Sequence, residues 1–119
     1  MKPRVLIIED DADAREVLQF SLEVEGQPVT VAADGKEGLE LAAATRPDVV
    51  FVDLKMPGLD GFEVARQLRE LLGPQARIIA LTGFDLDRAE DRQATAAAGF
   101  DGHLTKPIGA DTILAVLAA

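Results

Sequence analysis

The sequence has no cysteine, no tryptophan and no tyrosine, and only one histidine, His103. Without cysteine there is neither a disulfide framework nor a thiolate metal site. That suits a reducing compartment, and a cytoplasmic location is the expectation. A lone histidine excludes multi-histidine metal centres and leaves little room for a histidine-centred triad. Basic residues are scarce as well: 12 Lys and Arg stand against 21 Asp and Glu, a formal net charge of −9. A nucleic-acid binder needs a clustered basic footprint, and no such cluster occurs, so no nucleic-acid partner is expected. An acidic membrane surface would repel the chain. Long apolar runs are missing too. MKPRVLIIEDD reaches its charges after a short apolar stretch and reads as neither a signal peptide nor a membrane span. Chemistry in this chain falls to its carboxylates.

What is present is a core. Apolar residues make up 48% of 119 positions, enough for one domain spanning 1–119. Short apolar runs at Val5–Ile8, Val29–Ala32, Val49–Val52, Ile78–Leu81 and Phe100–Leu104 alternate with stretches of helical spacing. Ala14, Val17, Leu18, Ser21 and Leu22 form the first helical stripe, and Asp13 with Glu16 resembles a capping box. Asp34-Gly35 opens a second helix carrying Leu39, Ala42 and Ala43. Ala65, Leu68 and Leu72 serve a third, stopped by Gly73-Pro74. Leu86, Ala89, Gln93 and Ala97 trace a weaker fourth ended by Gly99, and Ile113, Leu114 and Leu117 a fifth.

Five βα units predict an α/β fold, a doubly wound parallel sheet with helices on both faces. The runs from Val5, Val49 and Ile78 are apolar without a break, as strands buried on both faces must be. The second and fifth alternate and belong at the edges. This fits the flavodoxin-like order 2-1-3-4-5.

Ligands of such sheets bind beyond the carboxyl ends of the strands, at the switch point between the first and third. The first strand delivers Glu9-Asp10-Asp11 there and the third Asp53. The fourth delivers Thr82-Gly83 and the fifth Thr105-Lys106-Pro107. Each alone has a plain explanation: an acid or threonine after a strand commonly caps the next helix, as Asp11 or Asp13 would. The combination is more demanding. Two carboxylates about 4 Å apart repel by roughly 4 kcal/mol at an effective dielectric of about 20. Several acids at one crevice therefore call for raised pKa values or a cation. With oxygen ligands only, that cation is hard, and Mg²⁺ suits a few carboxylates plus a phosphate. A metal, a nucleophilic carboxylate, a lysine and a hydroxyl around one point describe phosphoryl transfer.

These segments match a known family. LIIEDD, VVFVDLKMPGLDGFE, IIALTG and HLTKP stand in the order and spacing of the receiver domain of two-component response regulators, and the whole chain resembles it. The resemblance implies that Asp53 is the phosphoacceptor. It would take a phosphoryl group from a phosphohistidine on a histidine kinase or histidine phosphotransfer protein. Glu9 and Asp10 would hold Mg²⁺ (or Mn²⁺) with Asp53 and the backbone carbonyl of Lys55. Of the three consecutive acids, the family's spacing from the acidic pair to the acceptor and to the first-helix position held here by Arg15 implies Glu9 and Asp10 and leaves Asp11 to the loop. Lys106 would pair with a phosphate oxygen, Thr82 would bond the attached phosphoryl group, and Pro107 would follow a cis peptide bond.

His103 stands where the family often has Tyr or Phe, whose ring moves inward with the threonine. It is either that switch or a half-exposed edge residue. Lys55, two residues after Asp53, is expected to influence the lifetime of the phosphoryl group. The face made by the fourth helix, fifth strand and fifth helix is the expected surface for an effector protein or self-association. The apolar close TILAVLAA reads as a receiver cut from a larger protein, such as a hybrid sensor kinase, rather than a stand-alone one.

Rival readings fit less well. A haloacid-dehalogenase-like phosphatase needs an acid where Lys55 stands, and a nucleotide binder needs GxGxxG where the chain has EDDADA. A receiver-like module that signals without phosphorylation would be free to lose members of the set Glu9, Asp10, Asp53, Thr82 and Lys106, all of which are present.

Overall fold

The structure is a computed structural model that describes residues 2–56, 60–83 and 89–119. Five strands, β1 (Val5–Ile8), β2 (Val29–Ala32), β3 (Val49–Asp53), β4 (Arg77–Thr82) and β5 (Gly102–Thr105), form one parallel sheet in the order β2-β1-β3-β4-β5. The helices are α1 (Ala12–Val24), α2 (Gly35–Thr45), α3 (Gly61–Leu72), α4 (Ala89–Ala97) and α5 (Ala110–Ala118). The order follows from where apolar surface can be hidden. Strands β1 and β3 are buried along their whole lengths, whereas β2 and β5 keep partly exposed residues and lie at the edges.

Two clusters cover the faces of the sheet. On one, Leu6, Ile8, Val50, Val52, Ile78 and Ala80 meet Val64, Ala65 and Leu68 of α3 and Ala42 of α2. On the other, Val5, Ile7, Phe51 and Leu81 meet Leu18 and Leu22 of α1 and Ile113 of α5. Leu68 is fully buried, so its truncation to alanine would cost roughly 2–5 kcal/mol. Helix α2 approaches β1 closely because its contact residue is Gly38. A Cβ there would lie 2.7 Å from Ile8 Cγ1.

Several local expectations are corrected. The cap of α1 is Asp11, whose Oδ1 accepts from Asp13 N and Ala14 N, and Asp13 sits in the first turn. The helix starts as soon as the chain leaves the site, so the earlier acid reaches the free amides. Val17 is not a core residue. It is 63% exposed and forms an outward apolar line with Phe20 and Val24, while Leu18 and Leu22 face the sheet. Apolar residues line two faces of this helix, and spacing alone cannot tell which is buried.

In α2, Gly38 and Ala42 are buried but Ala43 is exposed. In α4, Gln93 and Ala97 are exposed, and Thr95 together with Ala98 just beyond the helix is buried. Phe100 precedes β5 rather than opening it. Its ring meets Phe62 edge-on at 6.2 Å, in the core under α3. Leu86 and the Pro57-Gly58 pair lie outside the described residues.

Candidate functional site

The β1–β3 register sets the site. Ile8 pairs with Val52, so Glu9 and Asp53 stand side by side at the carboxyl end of the sheet. Asp53 ends the central strand β3 and is only 4% exposed. Its Oδ1 accepts from the backbone N–H of Lys55 at 3.0 Å, and its Oδ2 from Lys106 Nζ at 2.9 Å. The same Nζ lies 3.0 Å from Glu9 Oε2. Lys106 arrives there because the chain after β5 is tied back to β4, its N–H donating to Thr82 O at 2.7 Å. The Lys106–Pro107 peptide bond is cis.

Glu9 is almost completely buried, with its N–H donating to Ala32 O and its Oε1 accepting from Asp11 N. Asp10 is exposed. One carboxylate oxygen from each of Glu9, Asp10 and Asp53 falls within 4.8 Å of the others. Thr82, also buried, lines the same cleft of about 660 Å³ with Lys55, Gly83 and Ile108.

The electrostatics record the crowding. Burial pushes the Glu9 carboxyl up; its hydrogen bond to Lys106 opposes that, and the charge of Asp53 adds to it. Asp10, although exposed, is pushed up by the partial desolvation of its carboxyl within the cluster, then by its hydrogen bond to Asp53 and by that residue's charge. Desolvation alone would lower Lys106, but the bonds and charges of Asp53 and Glu9 outweigh it, and its ammonium is held above the ordinary lysine range. Lys106 pairs with two of the three acids, and desolvation with the remaining like charge still raises Glu9 and Asp10, the condition in which oxygen ligands take up a hard divalent cation. The residues present therefore fit Mg²⁺ or Mn²⁺.

Of the residues singled out from the sequence, the fold brings Glu9, Asp10, Asp53, Lys55, Thr82, Lys106 and Pro107 to this cleft. His103 is not among them. It is exposed on β5, in register with Ala80. Asp11 lines the rim, but its carboxylate is engaged in capping α1.

Two neighbours had drawn no role. Arg15 Nη1 donates to Glu9 O at 2.9 Å and Asp10 O at 3.4 Å. Gly61, capped into α3 by Asp60, packs against the backbone of the acceptor: a Cβ there would lie 2.7 Å from both Asp53 O and Leu54 Cα. The only sequence signals were a basic residue in the first helix and the Gly of the LDGFE segment.

A sequence profile of the response regulator receiver domain matches residues 5–118. The response regulator MprA of Mycolicibacterium vanbaalenii is 43% identical over all 119 residues, and the chain spans about half the length of such curated relatives, 50% here. Among solved structures, chemotaxis protein CheY4 of Vibrio cholerae superposes with a TM-score of 0.89 at 32% identity, covering 99% of this chain and 98% of that one. A Burkholderia pseudomallei response regulator bearing a phosphorylated aspartic acid and a calcium ion gives a TM-score of 0.84 at 31% identity, covering 98% of this chain and 66% of its own.

Proposed function

Because the chain belongs to the response regulator receiver domain family, we propose that Asp53 accepts a phosphoryl group from the phosphohistidine of a histidine kinase or histidine phosphotransfer protein. The observation that carries this reading is the single Lys106 Nζ shared between Asp53 Oδ2 and Glu9 Oε2 at the end of a central strand. That arrangement sets a buried carboxylate at the end of a rigid strand, 2.9 Å from a cation that can also meet the incoming phosphoryl oxygens. The phosphorylated aspartic acid of the Burkholderia relative supports the same chemistry.

In the transfer, an Asp53 carboxylate oxygen bonds to phosphorus as the phosphorus–nitrogen bond to the donor imidazole breaks. The electron pair of that bond stays on the imidazole nitrogen, and the product is an acyl phosphate. Asp53 loses its carboxylate charge in the step, and the Lys106 ammonium transfers its pairing to a phosphoryl oxygen. Thr82 Oγ1 donates to another. Glu9, Asp10, Asp53 and the carbonyl of Lys55 would hold Mg²⁺ (or Mn²⁺), which would supply positive charge against the phosphoryl oxygens. Water later cleaves the acyl phosphate and restores Asp53. The domain thus catalyses only its own phosphorylation and dephosphorylation.

The outcome is a change in a protein-binding surface on α4, β5 and α5, in the cytoplasm, read by an effector or a second copy. The test is incubation with acetyl phosphate, or with beryllofluoride, and Mg²⁺. The wild type gains the mass of a phosphoryl group, or shifts its amide spectrum with beryllofluoride, and Asp53→Asn does neither. Identical behaviour of the two proteins would refute the assignment.

A further inference from the structure

We propose that Arg15 is a positioning residue for the acidic pair, clamping the peptide planes from which the Glu9 and Asp10 carboxylates project. Three consecutive acids make the 9–11 segment self-repelling. Its ends are held by other groups: Glu9 N–H donates to Ala32 O, and Asp11 Oδ1 caps α1. Between them, the carbonyls of Glu9 and Asp10 both turn to one guanidinium nitrogen, at 2.9 and 3.4 Å. A carbonyl's direction fixes its peptide plane, and so the direction in which the neighbouring side chains leave.

Arg15 is a stiff mount, because its own N–H donates to Asp11 O in the first turn of α1, which Asp11 caps. Among the described residues it makes no ion pair, although acids surround it. Its guanidinium is used on neutral carbonyls. The arrangement resembles the outer groups that orient metal ligands, whose loss typically weakens metal binding about tenfold or more.

The inference rests on the reading that Glu9 and Asp10 hold a divalent cation, and it makes a prediction opposite in sign to simple charge. As a nearby positive charge alone, Arg15 would repel Mg²⁺, and its removal would tighten binding. As a clamp, its removal loosens binding. Mg²⁺ titrations followed by amide NMR on wild type, Arg15→Met and Arg15→Lys separate the two. The expected result is about tenfold weaker binding in Arg15→Met, partial recovery in Arg15→Lys, and faster solvent exchange of the Asp11 amide in Arg15→Met even in EDTA.

Equal or tighter Mg²⁺ binding by Arg15→Met overturns the proposal. If the wild type shows no Mg²⁺ response, the metal reading fails instead. The clamp then stands or falls on the EDTA exchange rates, and unchanged exchange refutes it. Should Arg15→Met not fold, the wild-type guanidinium resonances decide. Hindered rotation at Arg15 relative to exposed Arg66 supports the clamp, and equal rotation overturns it.

Discussion

Replacing Asp10 by Asn, a loss of one charge with little change of shape, should stabilise the metal-free protein. The Asp10 carboxylate comes within 4.8 Å of those of Glu9 and Asp53. At that separation two like charges repel by about 3.5 kcal/mol at an effective dielectric of about 20, and by about 1 kcal/mol at that of water. Asp10 faces solvent, so the smaller figure governs. Lys106 attraction offsets part of the combined repulsion from two neighbours.

A net gain of about 1 kcal/mol at neutral pH is expected, or roughly 4 °C in Tm for a domain near this size. The gain also has a pH sign. The Asp10 carboxyl is raised in the fold by partial desolvation and by Asp53, so across the window above its ordinary value the folded wild type binds more protons than the unfolded chain. Wild-type stability from this group therefore falls as pH rises through that window, and the advantage of Asp10→Asn shrinks on acidification. Added salt should shrink it as well. Saturating Mg²⁺ should reverse the order, because the intact acid set gains more binding free energy.

The chain has no tryptophan or tyrosine, so calorimetry or far-ultraviolet circular dichroism in EDTA is the assay. If Asp10→Asn is no more stable than wild type in EDTA at neutral pH, the cluster is not in electrostatic conflict and the argument for a cation fails.

Lys106→Met should destabilise the protein by about 2 kcal/mol, below the 3–5 typical of a fully buried pair because the lysine is partly exposed. Its folded value is raised, so its contribution is full below the ordinary lysine value and fades as pH climbs through the folded one; denaturant melts of the two proteins should converge in alkali. Gly61→Ala drives a methyl group into Asp53 O and Leu54 Cα. It should cost about 1–3 kcal/mol and slow phosphorylation by acetyl phosphate, whereas a normal rate would free Gly61 from any part in seating Asp53. Lys55→Ala should change the half-life of the phosphorylated protein, read by the decay of its phosphoryl mass. Equal decay would remove Lys55 from that role.

The sheet order was legible because burial on two faces and on one leave different compositions. Val49–Val52 has no polar residue, while Thr30 and His103 interrupt the edges. The convergence of Glu9, Asp10, Asp53, Thr82 and Lys106 followed from topology, since parallel strands end on one side. Side-chain facing was less legible. Val17 and Leu18 are equally apolar, and only the fold decides that Leu18 enters the core. Phe100 heads an apolar run that reads as a strand, yet it serves a contact with Phe62 from outside one. Arg15 and Gly61 left only faint traces, because their parts depend on which backbone atoms the folded chain sets against them.

The close packing of α2 on β1 has a consequence for how this sequence can vary. Gly38 leaves no room for a Cβ beside Ile8, and Ile8 directly precedes Glu9 in the chain. The two positions share one fixed volume, so a methyl group gained at 38 must be given up at 8. Among functional relatives they are expected to change as a pair, with alanine at the helix position accompanied by a smaller residue on the strand. A change at 38 alone would force the Ile8 side chain aside, one residue before Glu9. A constraint seated in the packing beneath α2 would then be felt as a constraint on the chemistry above it.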